Sequence, residues 1–325
     1  MGFLTTVSAT FAVTAGAAAY YMRRKISKDW IDLRKLDLPH CQGQTVVITG
    51  GNVGLGYETA AALCQRQAKR IVLLCRNTTS GQEAATKLMA NCATKVDCFK
   101  LDLASLASVR ACAAQLQDVP IDVLILNAGV WLPEHNKTQD GFEMHFGVNH
   151  LGHFLLTQLL VVKDRIVFVA SSLLASGQLD MEKQDFVYDG RQPDPQAKPS
   201  RVPLGYSDSK LMNALTCREF STRLTTGGTC YAVCPGFCRS SLGRNVNVAW
   251  YQRILMVPLF GLIHRTTVQG SYNIVYCVLQ EKSKMKNGRL YRDGEEHLND
   301  VVDAFAAATS KKLWALTESL INKIK

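Results

Sequence analysis

The sequence predicts an α/β fold, a doubly wound parallel sheet covered by helices on both faces. Three observations point to it. Short segments apolar at nearly every position recur along the chain, as in TVVIT (45–49), RIVLLC (70–75) and IDVLIL (121–126). Strands buried on both faces read this way, whereas strands with one wet face alternate apolar and polar residues. The intervening stretches have helical length, which gives the strand–helix alternation of crossover units. The first strand also runs directly into a glycine-rich turn, TGGNVGLG (49–56), that opens the first helix.

The elements follow in order. Strand 45–49 leads to a helix over 54–68, and strand 70–75 to a helix ending near 91. A third strand covers 95–102 and a helix 105–116; a fourth covers 121–126 and a long helix 141–162. A fifth strand covers 165–170, a helix 206–224, and a sixth strand 229–234. In such a sheet, ligands bind beyond the carboxyl ends of the strands.

These elements make one domain over 39–325, preceded by an N-terminal segment over 1–38. Phe3 to Met22 carry no charge, and Arg23, Arg24 and Lys25 follow at once. Twenty uncharged residues can cross a bilayer as a helix. A cleaved secretory leader has its basic residues before the apolar run, the reverse of this order, and a mitochondrial presequence has arginine within the run. The positive-inside rule puts the basic flank and the domain after it on the cytosolic side. The segment therefore reads as a membrane-anchor helix. The endoplasmic reticulum is the expected membrane, with mitochondrial and lipid-droplet membranes as alternatives.

The net charge of +10 is spread along the chain, and no basic helix carries interleaved aromatics, so nucleic acid is not an expected partner. A membrane surface or an anionic cofactor accounts better for the excess. The eleven cysteines include no C-x-x-C pair. Cys230 and Cys234 lie in a predicted buried strand, with Cys238 just beyond. They read as core thiols in a reducing compartment, and no metal is expected.

Gly50, Gly54 and Gly56 allow a sharp turn and the close approach of a pyrophosphate to a helix N-terminus, and Asn52 and Leu55 belong to the same cradle. The strand before and helix after give this cluster the context of a dinucleotide site. Sites for NAD place a carboxylate at the end of the second strand, on the ribose 2′-hydroxyl. Here that position holds Arg76. A guanidinium pairs with a 2′-phosphate and a carboxylate repels it, so the expected cofactor is NADP(H). Further along, YSDSK sets Tyr206 and Lys210 four residues apart, on one face of a helix.

With these motifs come LDLAS (101–105), NAG (127–129), VNHLGHFLLT (148–157), VASS (169–172) and PGFCRSS (235–241). In this order they resemble the short-chain dehydrogenase/reductase family over 43–300, a Rossmann-type single domain. DGFEMHFGVNHLGHFLLT and the anchor-like start are most similar to the retinol dehydrogenase branch. Gly51 stands where that branch usually has alanine. The resemblance implies roles residue by residue. Asn149 would hold a water of a proton relay, Ser172 would hydrogen-bond the substrate oxygen, Tyr206 would be the acid–base residue and Lys210 its electrostatic partner. Asp102 and Leu103 would lie near the adenine, Asn127 on the cofactor floor, and Pro235 and Gly236 against the nicotinamide, with Ser240 nearby. A tyrosine titrates near 10. Lys210, together with the oxidised nicotinamide, would lower that value. His145, His150 and His153 lack metal-ligand spacing and read as packing or surface residues.

The stretch 179–203, rich in Pro, Asp and Lys, reads as a loop at the catalytic mouth. The apolar segment AWYQRILMVPLFGLIHR (249–265) covers the substrate in this family. The implied substrate is a lipophilic carbonyl or its alcohol, with retinal and retinol first and a steroid or polyprenal next. A soluble reductase of small carbonyls is a further alternative. A non-catalytic dinucleotide-binding scaffold is the alternative of another class. Loss of Tyr206, Lys210 or the glycine turn would favour it, and all three are present.

Overall fold

The computed structural model describes residues 22–132, 136–179, 203–224, 227–238 and 264–324. Strands β1 (Thr45–Thr49), β2 (Arg70–Cys75), β3 (Lys95–Lys100), β4 (Ile121–Leu126), β5 (Val162–Val169), β6 (Thr229–Val233), β7 (Leu290–Arg292) and β8 (Glu295–Glu296) form one sheet. Its order is β3-β2-β1-β4-β5-β6-β7-β8. Every pair is parallel except β7 with β8. The order reverses at β1, so the carboxyl ends of β1 and β4 flank the crevice where such sheets bind ligands.

Helices α1 (Gly54–Gln65), α2 (Thr78–Met89), α3 (Leu106–Gln115), α4 (Gly152–Leu159), α5 (Leu204–Arg223), α6 (Thr267–Leu279) and α7 (Asn299–Lys323) cover the sheet. Successive strand residues point to opposite faces. Val46 and Ile48 accordingly join a core with Leu63 of α1, Ala84 of α2 and Ile274 of α6. Val47 joins the other core, with Val109 of α3, Leu156 of α4, Leu211 of α5 and Leu313 of α7. β1, β2, β4, β5 and β6 each feed both cores, which is why these strands are apolar at consecutive positions.

The long helix expected over 141–162 is corrected. Gly141 is in a turn at φ +85°, a π-helical turn spans Phe146–Leu151, and α4 follows over Gly152–Leu159. Leu160 is extended, and β5 starts at Val162, earlier than expected, where Val162 pairs with Ile121 of β4 ahead of a register shift; Lys163 and Asp164 interrupt the apolar run and hide this start. The third and sixth strands end at Lys100 and Val233, short of the expected 102 and 234, where the chain leaves the sheet for the ligand side.

The anchor expected over 3–22 lies, but for Met22, outside the described residues. No described helix is long and apolar enough to cross a membrane. The basic stretch after it packs onto the domain. Arg66 donates to the carbonyls of Leu38 and Leu33 at 2.7 and 3.1 Å, and Leu33 and Leu38 are buried. The guanidinium groups of Arg23 and Arg265 lie over the Trp30 ring, 4.6 and 4.5 Å from its centroid.

Candidate active site

The glycine turn leaves β1 with Gly50 at φ +66° and Gly54 at φ +59°, conformations that side-chain-bearing residues rarely adopt. A Cβ on Gly56 would stand 2.3 Å from the Gly50 carbonyl oxygen and 2.6 Å from Asn127 Nδ2. A Cβ on Gly51 would meet Leu73 Cδ2 at 2.6 Å, so alanine there needs the Leu73 side chain to shift. Val53 at the N-cap of α1 gives no side-chain cap, and the first turn holds no acidic residue. The first amides of α1 are thus left for an anion, where the helix dipole is positive. No cofactor is part of the structure, but an uncapped helix start behind a glycine turn fits a dinucleotide pyrophosphate.

Beneath this turn lies a network that the sequence reading missed. Thr49 Oγ1 accepts the amides of Asn127 and Ala128 at 2.9 and 3.0 Å and sits 2.9 Å from His153 Nε2. The other ring nitrogen, Nδ1, faces the Asn149 carbonyl at 3.0 Å. A carbonyl only accepts, so Nδ1 carries the proton, and Nε2 accepts from the Thr49 hydroxyl. Burial lowers the His153 pKa to about 3, which keeps the ring neutral for both bonds. Asn127 Nδ2 donates to the carbonyls of Thr49 and Gly50 at 3.0 and 3.3 Å. His145 and His150 prove to be buried and bonded, to Glu143 and Thr317 respectively.

The remaining cofactor candidates line the same edge. Asn52 Nδ2 donates to Ser80 Oγ at 3.1 Å. Arg76, just past β2, is exposed, and no ion pair is formed by it among the described residues. Asp102 lies past β3, and its carboxylate accepts the Ala104 amide at 3.0 Å. Leu103 is buried with its carbonyl against Gly152, where a Cβ would approach to 2.7 Å. Leu55 is half-buried on the first turn of α1. Pro235 and Gly236 follow β6. Gly236 has φ +80°, and a Cβ there would strike Arg265 Nε at 2.5 Å.

Asn149, Tyr206 and Lys210 come together near the ends of β4 and β5. Asn149 lies in the π-helical turn, a distortion common at functional sites. Its side chain is fully engaged: Val130 N–H donates to Oδ1 at 2.8 Å, and Nδ2 donates to the Val130 carbonyl at 3.2 Å and to Ser209 Oγ at 3.0 Å. It locks the loop after β4 to α5. Lys210 Nζ donates to the Val169 carbonyl at 2.8 Å and lies 5.6 Å from the Tyr206 ring centroid. Burial brings the Lys210 pKa down to about 8.

Tyr206 is buried against Trp131, ring centroids 4.7 Å apart. In the chain alone its pKa lies above the ordinary tyrosine value, because burial outweighs a hydrogen bond from the Ser171 side chain. The lowered value expected with cofactor is therefore not a property of the chain by itself. At 5.6 Å and turned to Val169, Lys210 does not offset the desolvation of the phenol. Ser171, absent from the sequence reading, is thus a neighbour of Tyr206. Ser172 has other partners: Oγ lies 3.1 Å from Cys234 Sγ, 3.1 Å from His297 Nε2 and 3.2 Å from Arg292 Nη1. Ser240 and the segments 180–202 and 239–263 lie outside the described residues.

The family model described as short chain dehydrogenase matches residues 44–179. The chain is 35% identical to human retinol dehydrogenase 14 over 351 residues, covering 99% of each chain. It is 37% identical to mouse retinol dehydrogenase 12 over 264 residues, covering 77% of this chain and 78% of that one. Among solved structures, an uncharacterised protein of Mycobacterium paratuberculosis superimposes with a TM-score of 0.66 at 31% identity, covering 88% of this chain and 96% of that one. A gluconate 5-dehydrogenase of Burkholderia cenocepacia, solved with NADP and tartrate, superimposes with a TM-score of 0.57 at 20% identity over 78% of this chain and 94% of its own.

Proposed function

The chain belongs to the short-chain dehydrogenase/reductase family, in its retinol dehydrogenase branch, and from that premise we propose that it is an NADP(H)-dependent enzyme interconverting a lipophilic alcohol and its aldehyde or ketone. Retinal and retinol are the first candidates, a steroid or polyprenal the next. The observation that carries the reading is the buried Tyr206–Lys210 pair beside the uncapped start of α1. Exposed Arg76 at the ribose position supports the choice of NADP(H), as it leaves a guanidinium with no ion-pair partner among the described residues for a 2′-phosphate.

When bound, the nicotinamide supplies or takes the hydride at the carbonyl carbon. The protein handles the oxygen. In reduction, the Tyr206 hydroxyl gives its proton to the oxygen as negative charge develops there. Lys210, protonated, is one turn away to stabilise the phenolate that remains. Ser172 Oγ donates a hydrogen bond to the same oxygen. Asn149 holds the loop after β4 in register with α5, which fixes the floor under the site. Burial of Tyr206 keeps bulk water from the hydroxyl.

The uncharged segment 3–22 supports an anchor in the endoplasmic reticulum membrane with the domain in the cytosol, where NADP is held mostly reduced and net carbonyl reduction follows. An exposed Phe237 just past Gly236 suits an apolar substrate entering near that surface. The test is to incubate microsomes carrying the full chain with NADPH or NADH and all-trans-retinal, a 3-ketosteroid or a polyprenal. Faster reduction with NADPH of at least one of these supports the reading. No turnover of any of them with either cofactor contradicts it. Retention of the chain in the pellet after carbonate extraction tests the anchor.

A further inference from the structure

A serine hydroxyl has one proton and two lone pairs. Ser172 meets three side chains at 3.1–3.2 Å, and one of them, Arg292, can only donate. Arg292 therefore holds a lone pair of Oγ. The proton of Ser172 cannot point at Arg292, so it is left for His297, Cys234 or a substrate oxygen.

The guanidinium is held there by the fold. Arg292 ends β7, and the two-residue turn Asp293-Gly294 joins it to β8. Both turn residues have positive φ, +55° and +85°, the conformation of a tight hairpin turn. Asp293 is not glycine, and its left-handed backbone persists because four contacts determine it. Its amide donates to Asn273 Oδ1 at 2.5 Å, its carboxylate accepts the Ile31 amide at 3.2 Å, and Arg265 grips both carboxylate oxygens at 2.5 and 2.6 Å. Arg265 is itself buried and stacked on Trp30. The hairpin is thereby fixed to both the α6 side and the N-terminal stretch. With Asp293 committed to Arg265, the Arg292 charge is only partly offset, by Asp293 Oδ2 at 3.4 Å from its Nε. A cation lies within hydrogen-bond reach of the serine at which the carbonyl oxygen is to sit.

We propose that Arg292 is a positioning residue of the reaction: by occupying one lone pair of Ser172 Oγ it turns the hydroxyl proton away from itself, where the substrate oxygen can take it, and its charge favours the alkoxide that develops there. This rests on the reading of Ser172 given above. His297, at 3.1 Å from the same oxygen, shares the serine but carries no fixed charge, as burial and the neighbouring Arg292 lower its pKa.

The test is a double-mutant cycle on the full membrane-bound chain, reading single-turnover reduction of all-trans-retinal by NADPH. Arg292→Ala is expected to lower the rate ten- to a hundredfold, the scale of one charge-assisted hydrogen bond, with the NADPH dissociation constant unchanged. Arg292→Lys, which keeps a charged donor, is expected to recover most of the loss. In a Ser172→Ala background, Arg292→Ala should cost less than threefold, because the interaction through the serine is already gone. Equal losses in both backgrounds, no loss in either, or a loss that Arg292→Lys leaves unrescued would each overturn the proposal. Tyr206→Phe, run in parallel, separates the two readings. If it is fully active the reaction assignment fails, whereas if it is inactive and the cycle is additive only the role of Arg292 fails.

Discussion

Thr49 at the end of β1 and His153 in α4 are joined by a buried hydrogen bond, Oγ1 to Nε2 at 2.9 Å. It ties the strand that feeds the glycine turn to the helix that carries the turn of Asn149. Both ends are committed: Thr49 Oγ1 receives the amides of Asn127 and Ala128, and His153 Nδ1 reaches the Asn149 carbonyl. The floor of the cofactor crevice and the π-helical turn are therefore tied together through one buried network.

Burial of His153, and of His150 near it, makes the fold acid-sensitive. His153 has a folded pKa of about 3 and His150 of about 4, both lowered by burial from 6.5. Below pH 6.5 the unfolded chain takes up protons that the folded chain refuses. Stability present above pH 6.5 is thus lost as pH falls toward those folded values. Between pH 6.5 and 5 each histidine is expected to remove about 2 kcal/mol. Urea midpoints across this range check it, and His153→Gln, which cannot titrate, should show the shallower decline.

Gly56→Ala is expected to abolish cofactor binding and to lower stability. The added Cβ would lie 2.3 Å from the Gly50 carbonyl, a backbone atom that cannot rotate away. NADPH fluorescence titration and a thermal melt read both effects. Gly227→Ala has open space around the new Cβ and only its φ of +70° to strain, so it should leave binding intact and serve as the control.

Much of this was legible in the sequence, and the limits have physical causes. Central strands such as Ile121–Leu126 are buried on both faces, so their apolar runs mark them residue for residue. The stretch from 141 to 162 misled because its composition is helical throughout. Only the backbone reveals the turn at Gly141, the π-helical turn and the early start of β5. The hairpin of β7 and β8 is three residues paired with two, too short to carry a period, and two of them are glutamates. Arg292 and His297 were invisible for that reason, reaching Ser172 from more than a hundred positions away. Motif spacing locates Tyr206 and Lys210, but it does not reveal that Lys210 turns to Val169 while Ser171 takes the phenol.

Arg76→Asp should weaken NADPH at least tenfold while leaving NADH binding unchanged or improved. It removes a charge-assisted contact and sets a carboxylate where the 2′-phosphate would lie. Dissociation constants for both dinucleotides check this. An unaltered preference removes Arg76 from the site.

Lys210 titrates near pH 8 in the cofactor-free chain. Binding an anionic dinucleotide favours its charged form, so NADPH affinity is expected to fall as pH rises through about 8. Lys210→Met should bind more weakly at pH 7 and lose this dependence. The stability sign is opposite. The folded pKa lies below the ordinary 10.5, so the cost of the buried charge is fully present below about pH 8 and is relieved as pH rises toward 10.5.

The central claim is that Tyr206 moves the proton, and Tyr206→Phe tests it most directly. The substitution keeps the ring beside Trp131 and removes only the hydroxyl. Single-turnover reduction of all-trans-retinal should fall at least a hundredfold, the lower scale of general acid catalysis, while the NADPH dissociation constant and the thermal midpoint stay at the wild-type values. Turnover at the wild-type rate with intact cofactor binding would contradict the account.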